Sequence, residues 1–546
     1  MTKIIGAMQD WPLVTSRLLD HVASNHPGRG IVSLAVEGGT HRTTWAAVAD
    51  RSHRLAAALS GLGVGPGDRI ATLAWNTWRH VECLYGIGGM GGIAHTINPR
   101  LFDDQIAFIV NDAADRVVLF DLTFLPLVER LAPRLTSVVA FVVLTDRVHM
   151  PASVLDLLCY EELVATGDPD FAWADVPESA PAGLCYTSGT TGNPKGVLYS
   201  HRSTVLHAMA ACGVDVLALG ARTVVLPIAP MFHVNAWSVP YAAAAAGSTL
   251  VLNGPHFDAP TLTRLIVDEG VDFAMAVPTI WLGVLQHLEA NGDANGGAGL
   301  GRLSRINIGG SAVPRSMIEA FDARGVTVSH LWGMTEMSPI GTIGAPTPEV
   351  AALDPAEQVT MRAKQGRGVF GVEMKIVGED GADLSRDGVA FGRLLVRGPW
   401  IVDTYFGAAD RAVDAAGWFD TGDVATIDAL GYMGIVDRSK DVIKSGGEWI
   451  SSIDLENTAV GCPGIHEAAV IGVPHPKWDE RPLLIVVAKT GAVVTKADVL
   501  AHLAPRIAKW WTPDDVVFVD ELPHTATGKL LKTALRVEYR GHLVGS

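Results

Sequence analysis

The sequence predicts an α/β protein with a largely parallel sheet, a small β subdomain and a short C-terminal unit. Three observations predict it. Short apolar runs alternate with stretches of helical periodicity over the first 350 or so residues, which is the pattern of strands joined by crossover helices. After about Val350 the helical stretches give way to strand-like segments separated by Gly-Asp turns. A charged run, Asp437-Arg438-Ser439-Lys440-Asp441, then precedes a shorter α/β stretch. A run so charged does not sit unpaired in a core, so a boundary is expected there.

The elements follow in order. Trp45, Val48, Leu55, Leu59 and Leu62 recur at helical spacing and Gly63 stops that helix. Strands are expected at Arg69–Trp75, Val117–Phe120 and Val139–Leu144, with a helix over about His80–Met90. Further strands are expected at Val224–Pro227, Thr249–Leu252, Phe273–Val277, Arg305–Ile308 and Val326–Leu331, and helices at Thr261–Glu269 and Ile280–Leu288. Gly371–Val377 and Gly392–Arg397 form the β subdomain. In the last unit Glu467–Gly472 and Leu483–Val487 read as strands and Lys496–Leu503 as a helix.

Composition sets the outer bounds. A chain of 546 residues with 48% hydrophobic and 18% charged residues is globular and folds as more than one domain. Its net charge of −16 argues against a nucleic-acid binder, which needs clustered Lys and Arg. The five cysteines have no metal-ligand spacing and read as buried thiols of a reducing compartment. No cleavable leader is legible at Met1–Gly6 and no apolar run is long enough to span a bilayer, so a soluble, cytoplasmic protein is expected.

One stretch organises the chemistry: Tyr186-Thr187-Ser188-Gly189-Thr190-Thr191-Gly192-Asn193-Pro194-Lys195-Gly196. Glycines bring backbone N–H groups close to an anion, hydroxyls add donors and Lys195 adds positive charge. That is a loop for wrapping the phosphates of a nucleotide. It is not the common P-loop, because Pro194 stands where that motif needs glycine. Gly333-Met334-Thr335-Glu336 follows a strand, where open α/β sheets place ligands. A carboxylate beside a polyphosphate needs a cation between, so Glu336 reads as a Mg²⁺ ligand. Gly309-Gly310-Ser311-Ala312 also follows a strand and permits close approach of a flat ligand or an acyl chain, with Ser311 capping the next helix. Gly417–Asp423 puts two carboxylates in a turn, and Asp423 is the one assigned to ribose hydroxyls. Met231-Phe232-His233-Val234-Asn235-Ala236-Trp237 ends a strand, and Phe232 and Trp237 can wall an apolar pocket. Thr525-Ala526-Thr527-Gly528-Lys529 ends in a far-reaching lysine suited to an anion.

Taken together and in this order, YTSGTTGNPKG, FHVNAW, GMTE, GWFDTGD, DRSKDVIKSGGEWIS and TATGK resemble the adenylate-forming superfamily of acyl-CoA ligases, luciferases and adenylation domains over nearly the whole chain. SGGEWIS with FHVNAW is most similar to bacterial medium-chain fatty acyl-CoA ligases and methylmercaptopropionyl-CoA ligases. The resemblance implies an N-terminal ATP- and acyl-binding domain, 1–439, and a mobile C-terminal domain, 440–546, hinged at Lys440. It implies a two-step reaction, in which a carboxylate and ATP give acyl-AMP and pyrophosphate, and CoA then displaces AMP.

The resemblance also implies roles. Thr187, Ser188, Gly189, Thr190, Thr191 and Lys195 would hold phosphates, with Mg²⁺ on Thr190 and Glu336. Gly310, Ser311, Ala312, Trp332, Gly333, Met334 and Thr335 would surround adenine and the α-phosphate, with Asp423, Ile435 and Arg438 at the ribose. Lys529, Glu336 and His233 would be catalytic. Phe232, Trp237 and Gly309 would line the acyl pocket. Lys444, Ser445, Gly446 and Gly447 would meet CoA. One departure is that Ser329-His330-Leu331-Trp332-Gly333 stands where the superfamily usually has a Gln-Gly-Tyr-Gly run. FHVNAW offers no cation to a second carboxylate, so the expected substrate is a short- to medium-chain monocarboxylate, with methylmercaptopropionate or transfer of acyl-AMP to a carrier protein as the alternatives. Homodimers are common among similar ligases.

Overall fold

The computed structural model describes residues 8–187, 193–291, 299–438, 441–445, 448–524 and 530–544. The chain forms two compact units: residues 1–256 with 404–409, and residues 257–403 with 410–546.

In the first unit the strands are β1 (Gly30–Leu34), β2 (Thr40–Thr44), β3 (Arg69–Leu73), β4 (Ile93–Thr96), β5 (Val117–Phe120), β6 (Ala140–Val143), β7 (Leu157–Cys159), β8 (Pro181–Tyr186), β9 (Gly196–Ser200), β10 (Val224–Pro227) and β11 (Thr249–Leu252). Seven of them form a sheet of order β7-β6-β5-β3-β4-β8-β9, parallel except for the last pair. β10 and β1 both pair with β11 in parallel, and β2 adds to β1 antiparallel. Strands such as VVLF at Val117–Phe120 are buried on both faces, which explains continuous apolar runs in place of alternation. The helix Trp45–Gly61 starts where Thr44 accepts the Ala47 N–H at 3.3 Å.

In the second unit β12 (Phe273–Ala276), β13 (Arg305–Gly309) and β14 (Thr327–Gly333) run parallel, and β15 (Ile340–Ile343) and β16 (Arg367–Gly368) extend them antiparallel. The β subdomain is an antiparallel meander of β17 (Glu373–Val377), β18 (Phe391–Arg397), β19 (Phe419–Ile427) and β20 (Met433–Arg438). The last sheet holds β21 (Ile443–Ser445), β22 (Glu448–Ile450), β23 (Ile465–His475), β24 (Asp479–Ala488) and β25 (Asp515–Phe518). It is packed on both faces: Ala468, Val470, Leu484 and Val486 meet one helical layer, and Ala469, Ile471, Leu483 and Ile485 the other. The helix Lys496–Leu503 falls where its sequence puts it, because Thr495 and Asp498 close a reciprocal capping box.

Some expectations need correction. The segment GWFDTGD is not a turn, since Phe419 onward is strand β19. β10 stops at Pro227, so FHVNAW lies beyond the strand end. Ser311 caps nothing; the next helix begins at Arg315 behind Pro314. Four cysteines are buried as expected, but Cys212 is half-buried.

The first unit buries neutral histidines. His80 bridges Thr72 Oγ1 through Nε2 at 3.0 Å and the Trp75 carbonyl through Nδ1 at 3.0 Å, and burial pushes its pKa down to about 4. Burial pushes His201 down to about 4 as well, with Nδ1 beside the Thr15 hydroxyl and N–H. A depressed histidine gives stability that is whole above the unfolded value of 6.5 and is lost as pH falls towards 4. Each should contribute a slope of roughly 1.4 kcal/mol per pH unit in that window. Urea unfolding at pH 7, 6 and 5 should show it, and His80→Gln should flatten the dependence.

Candidate active site

In the first unit the glycine loop leaves β8 at Tyr186 and returns to β9 at Gly196, and these two residues are paired across the strands. Its neck is closed by the Thr187 N–H donating to the Lys195 carbonyl at 2.9 Å and the Lys195 N–H donating to Thr187 Oγ1 at 3.3 Å. Lys195 is exposed and its ammonium lies 4.9 Å from the centre of the Tyr405 ring, a cation–π contact. Phe406 donates its N–H to the Gly196 carbonyl at 2.8 Å, so the segment after Thr404 braces the neck. Tyr405 was not legible as a site residue, since a lone aromatic in a loop carries no signal. Ser188, Gly189, Thr190 and Thr191 lie outside the described residues.

FHVNAW is held by Asn76. Its Oδ1 accepts the Met231 N–H at 2.6 Å, and its Nδ2 donates to the Pro227 and Ala229 carbonyls at 2.9 and 3.0 Å. Val234, Asn235, Ala236, Trp237 and Ser238 then run through left-handed φ values of 48, 52, 52, 55 and 60°. Such a conformation costs on the order of 1–2 kcal/mol per L-residue. Thr96 holds it by donating to Asn235 Oδ1 at 3.3 Å. Phe232 and Trp237 are buried, and Phe232 meets Trp75 edge-on at 5.9 Å. His233 is half-buried and donates its N–H to the Pro230 carbonyl at 2.9 Å.

In the second unit the predicted nucleotide residues meet at the carboxyl ends of β13 and β14. Gly309 closes β13; Gly310 turns the chain at φ 89°, leaving Gly310 and Ser311 exposed and Ala312 half-buried. Gly333 ends β14 so close to the returning chain that a Cβ would stand 1.8 Å from the Pro339 carbonyl oxygen. The Met334 N–H donates to that same oxygen at 3.2 Å. Thr335–Met337 then makes a single tight turn, with Thr335 and Glu336 both buried and the Glu336 carbonyl accepting the Val402 N–H at 2.8 Å.

Asp423 is the centre of this half. Only 2% exposed, it accepts the Trp332 indole N–H on Oδ2 at 3.1 Å and pairs with Arg438 Nε on Oδ1 at 2.9 Å. Thr421 Oγ1 accepts the Asp423 N–H at 3.1 Å and donates to the Leu394 carbonyl at 2.9 Å. Sequence reasoning placed Trp332 against adenine, and the structure shows its N–H engaged in orienting Asp423. Ile435 is tied through its N–H to Gln365 Oε1 at 2.6 Å, and Gln365 was missed because a buried glutamine between helix and strand has no motif.

The described acids of the charged run, Asp437 and Asp441, are buried and half-buried and each is partnered. Asp437 Oδ2 accepts the Ser452 N–H at 2.9 Å and its hydroxyl at 2.6 Å, and Arg536 pairs with Asp441 at 2.6 Å. Lys532 pairs with Glu456 at 2.7 Å; burial pushes that carboxyl up to about 7 against the pull of the ammonium. Of the predicted CoA residues, Lys444 is exposed, but Ser445 is fully buried with its hydroxyl accepting from Arg481 at 3.2 Å. Lys440, Gly446, Gly447 and Lys529 lie outside the described residues. Among the described residues no three His, Cys, Asp or Glu side chains gather as a metal cluster, and no helix is long and apolar enough to cross a membrane.

An α/β architecture with an acid–indole–guanidinium cluster at its strand ends has the layout of a ligand-binding α/β enzyme. Comparison with known proteins names the family. Residues 19–406 match the AMP-binding enzyme family and residues 454–529 the AMP-binding enzyme C-terminal domain, and the chain belongs to that family. It is similar to the 3-methylmercaptopropionyl-CoA ligase of Ruegeria pomeroyi, at 51% identity over 99% of this chain and 100% of the relative. It is similar to the medium-chain-fatty-acid–CoA ligase of Ectopseudomonas oleovorans, at 47% identity over 100% of this chain and 99% of the relative. Among solved structures, the anthranilate CoA ligase AuaEII in complex with anthranoyl-AMP superposes with a TM-score of 0.85 at 24% identity, covering 98% of this chain and 100% of that one. The fold is that of adenylate-forming enzymes, a large N-terminal domain followed by a small C-terminal one, and the chain is an AMP-forming acid–thiol ligase using ATP and CoA.

Gly333→Ala should separate the end of β14 from Pro339. Its stability in urea should fall by about 2 kcal/mol or more, whereas Gly283→Ala, inside the helix Pro278–Ala290 with nothing within 4 Å of its Cβ, should be no less stable than the parent chain.

Proposed function

We propose that this ligase activates a short- to medium-chain monocarboxylate. The observation that supports the reading is the Asp423 cluster at the carboxyl end of β14 with Glu336 buried beside that strand end, in a chain 51% identical to a CoA ligase over its whole length. Two anions must meet in the first step, so the barrier is one of charge. Thr187, Ser188, Gly189, Thr190, Thr191 and Lys195 hold the leaving pyrophosphate. Gly310, Ser311, Ala312, Trp332, Gly333, Met334 and Thr335 border the adenine and α-phosphate, and Asp423, Ile435 and Arg438 border the ribose. Lys529 neutralises charge as the carboxylate attacks the α-phosphorus, with His233 at the acyl entrance.

Mg²⁺ fits this donor set. It binds nucleotides through one or two protein oxygens, phosphates and water, not through a full protein cage. Glu336, a buried carboxylate on a tight turn, and Thr190 would hold it, and it would supply charge neutralisation at the phosphates.

Phe232 and Trp237 are buried apolar groups and no lysine or arginine occurs in Met231–Trp237, which suits an uncharged acyl tail. Gly309 borders the same tail. The relatives named for 3-methylmercaptopropionate put a thioether acid of that size beside the simple alkanoates. The second step follows rotation at Lys440 between domains 1–439 and 440–546, which brings Lys444, Ser445, Gly446 and Gly447 to the CoA thiol. A cytoplasmic homodimer is the state in which we expect it to work.

AMP release in the presence of ATP, Mg²⁺, CoA and monocarboxylates of graded length tests the reading; silence with every acid would refute it. Lys529→Ala should reduce acyl-AMP formation by at least about a hundredfold while thioester formation from supplied acyl-AMP continues. Equal loss of both half-reactions would remove Lys529 from the first step.

A further inference from the structure

The sheet formed by β12, β13 and β14 has two unlike faces. Ala274, Ile306, Ile308, Val328 and His330 point to one of them. The His330 ring contacts the carbonyl of Ala363 at 2.9 Å, so the helix Pro355–Ala363 covers this side. Met275, Asn307, Gly309, Ser329 and Leu331 point to the other face. Gly309, the last residue of β13, lies on this second face, and the exposed Gly310 of the candidate site follows it.

Asn307 is out of place there. It is 3% exposed, and its Nδ2 is buried without a hydrogen-bond partner among the described residues. Its lateral neighbours in register are Met275 on β12 and Ser329 on β14, the latter half-buried. A buried amide donor left unpaired is unfavourable, and native proteins keep few of them without a reason. Asn307 lies two residues below Gly309 on the same face, about 6–7 Å deeper along the strand. An acid whose carboxylate sits beside Gly309–Gly310 and whose chain runs down this face of β13 would pass this amide.

We propose that Asn307 is a specificity-determining residue that donates a hydrogen bond, through Nδ2, to an acceptor atom in the chain of the acid. The favoured substrates are short acids carrying an ether or thioether a few bonds from the carboxylate, over hydrocarbon acids of equal length. This rests on the ligase reading and on the acid lying beside Gly309. The physical basis is asymmetric. A site built to hydrogen-bond a substrate atom rejects the analogue lacking it, because the buried donor is then left unpaired in the complex. An ether oxygen accepts well and a thioether sulphur weakly, so discrimination is greater for the oxygen compound.

Three acids of one length test it: β-methoxypropionate, 3-methylmercaptopropionate and pentanoate. Asn307→Leu keeps the side chain's branching and removes the donor. It should lower kcat/KM for the methoxy acid by about tenfold and for the thioether acid by less, while pentanoate is turned over as well as before or better. Pentanoate turnover reports that the variant is folded. Asn307→Ala, which removes the donor without adding apolar volume, should narrow the same ratios. Ratios unchanged from the parent enzyme in both variants overturn the assignment, and so does a uniform loss across the three acids. AMP release with none of the acids in the parent enzyme would overturn the ligase reading itself, and the assignment with it.

Discussion

One buried carboxylate ties together the half of the candidate site that lies at the end of β14. Asp423 sits on β19 of the small β subdomain, yet its two oxygens are claimed by the indole of Trp332 on β14 and the guanidinium of Arg438 on β20. An acid this buried is tolerable only with such partners, since a buried charge without them is strongly unfavourable. The consequence is that the α/β sheet and the β subdomain share one oriented acceptor group. Thr421 makes the arrangement stiffer by holding the Asp423 N–H from the same strand. A group that is already oriented needs no reorganisation when a ligand arrives.

Close approach of backbone does similar work a few residues away. The Pro339 carbonyl accepts the Met334 N–H at a distance that leaves no space for a side chain at 333. Thr335 and Glu336 are thereby presented on one tight turn rather than on a helix. The glycine loop of the first unit shows the same economy. Its neck is pinned by paired bonds between Thr187 and Lys195, which tie together the ends of β8 and β9.

The acids beside the predicted hinge, buried or half-buried, are each partnered from elements later in the chain. Asp437 receives Ser452, Asp441 receives Arg536, and Glu456 receives Lys532, all on elements that bracket the segment leading to Lys529. The described residues of the charged run, Asp437, Arg438 and Asp441, are thus each partnered. The run's composition signalled a special place, but which charges would be buried depended on helices far along the chain.

The sequence by itself determined the class of fold and the order of its parts. Alternating apolar runs and helical periodicity act locally, so strands such as Val117–Phe120 and Val224–Pro227 and the helix Lys496–Leu503 were legible to the residue. The motifs that hold the candidate residues were legible too, because glycine loops and strand-end motifs occupy consecutive positions, whereas the roles given to those residues remain a proposal. Tertiary structure alone decided the rest. It made GWFDTGD a strand, since β18 and β20 supply its ladder bonds from both sides. It buried Ser445 under Arg481, turned Trp332 towards Asp423, and brought Tyr405 to Lys195. It also left the Asn307 Nδ2 without a partner among the described residues, on the face of Gly309. Each of these depends on residues distant in sequence meeting in space, and a pattern read along the chain holds no record of such meetings.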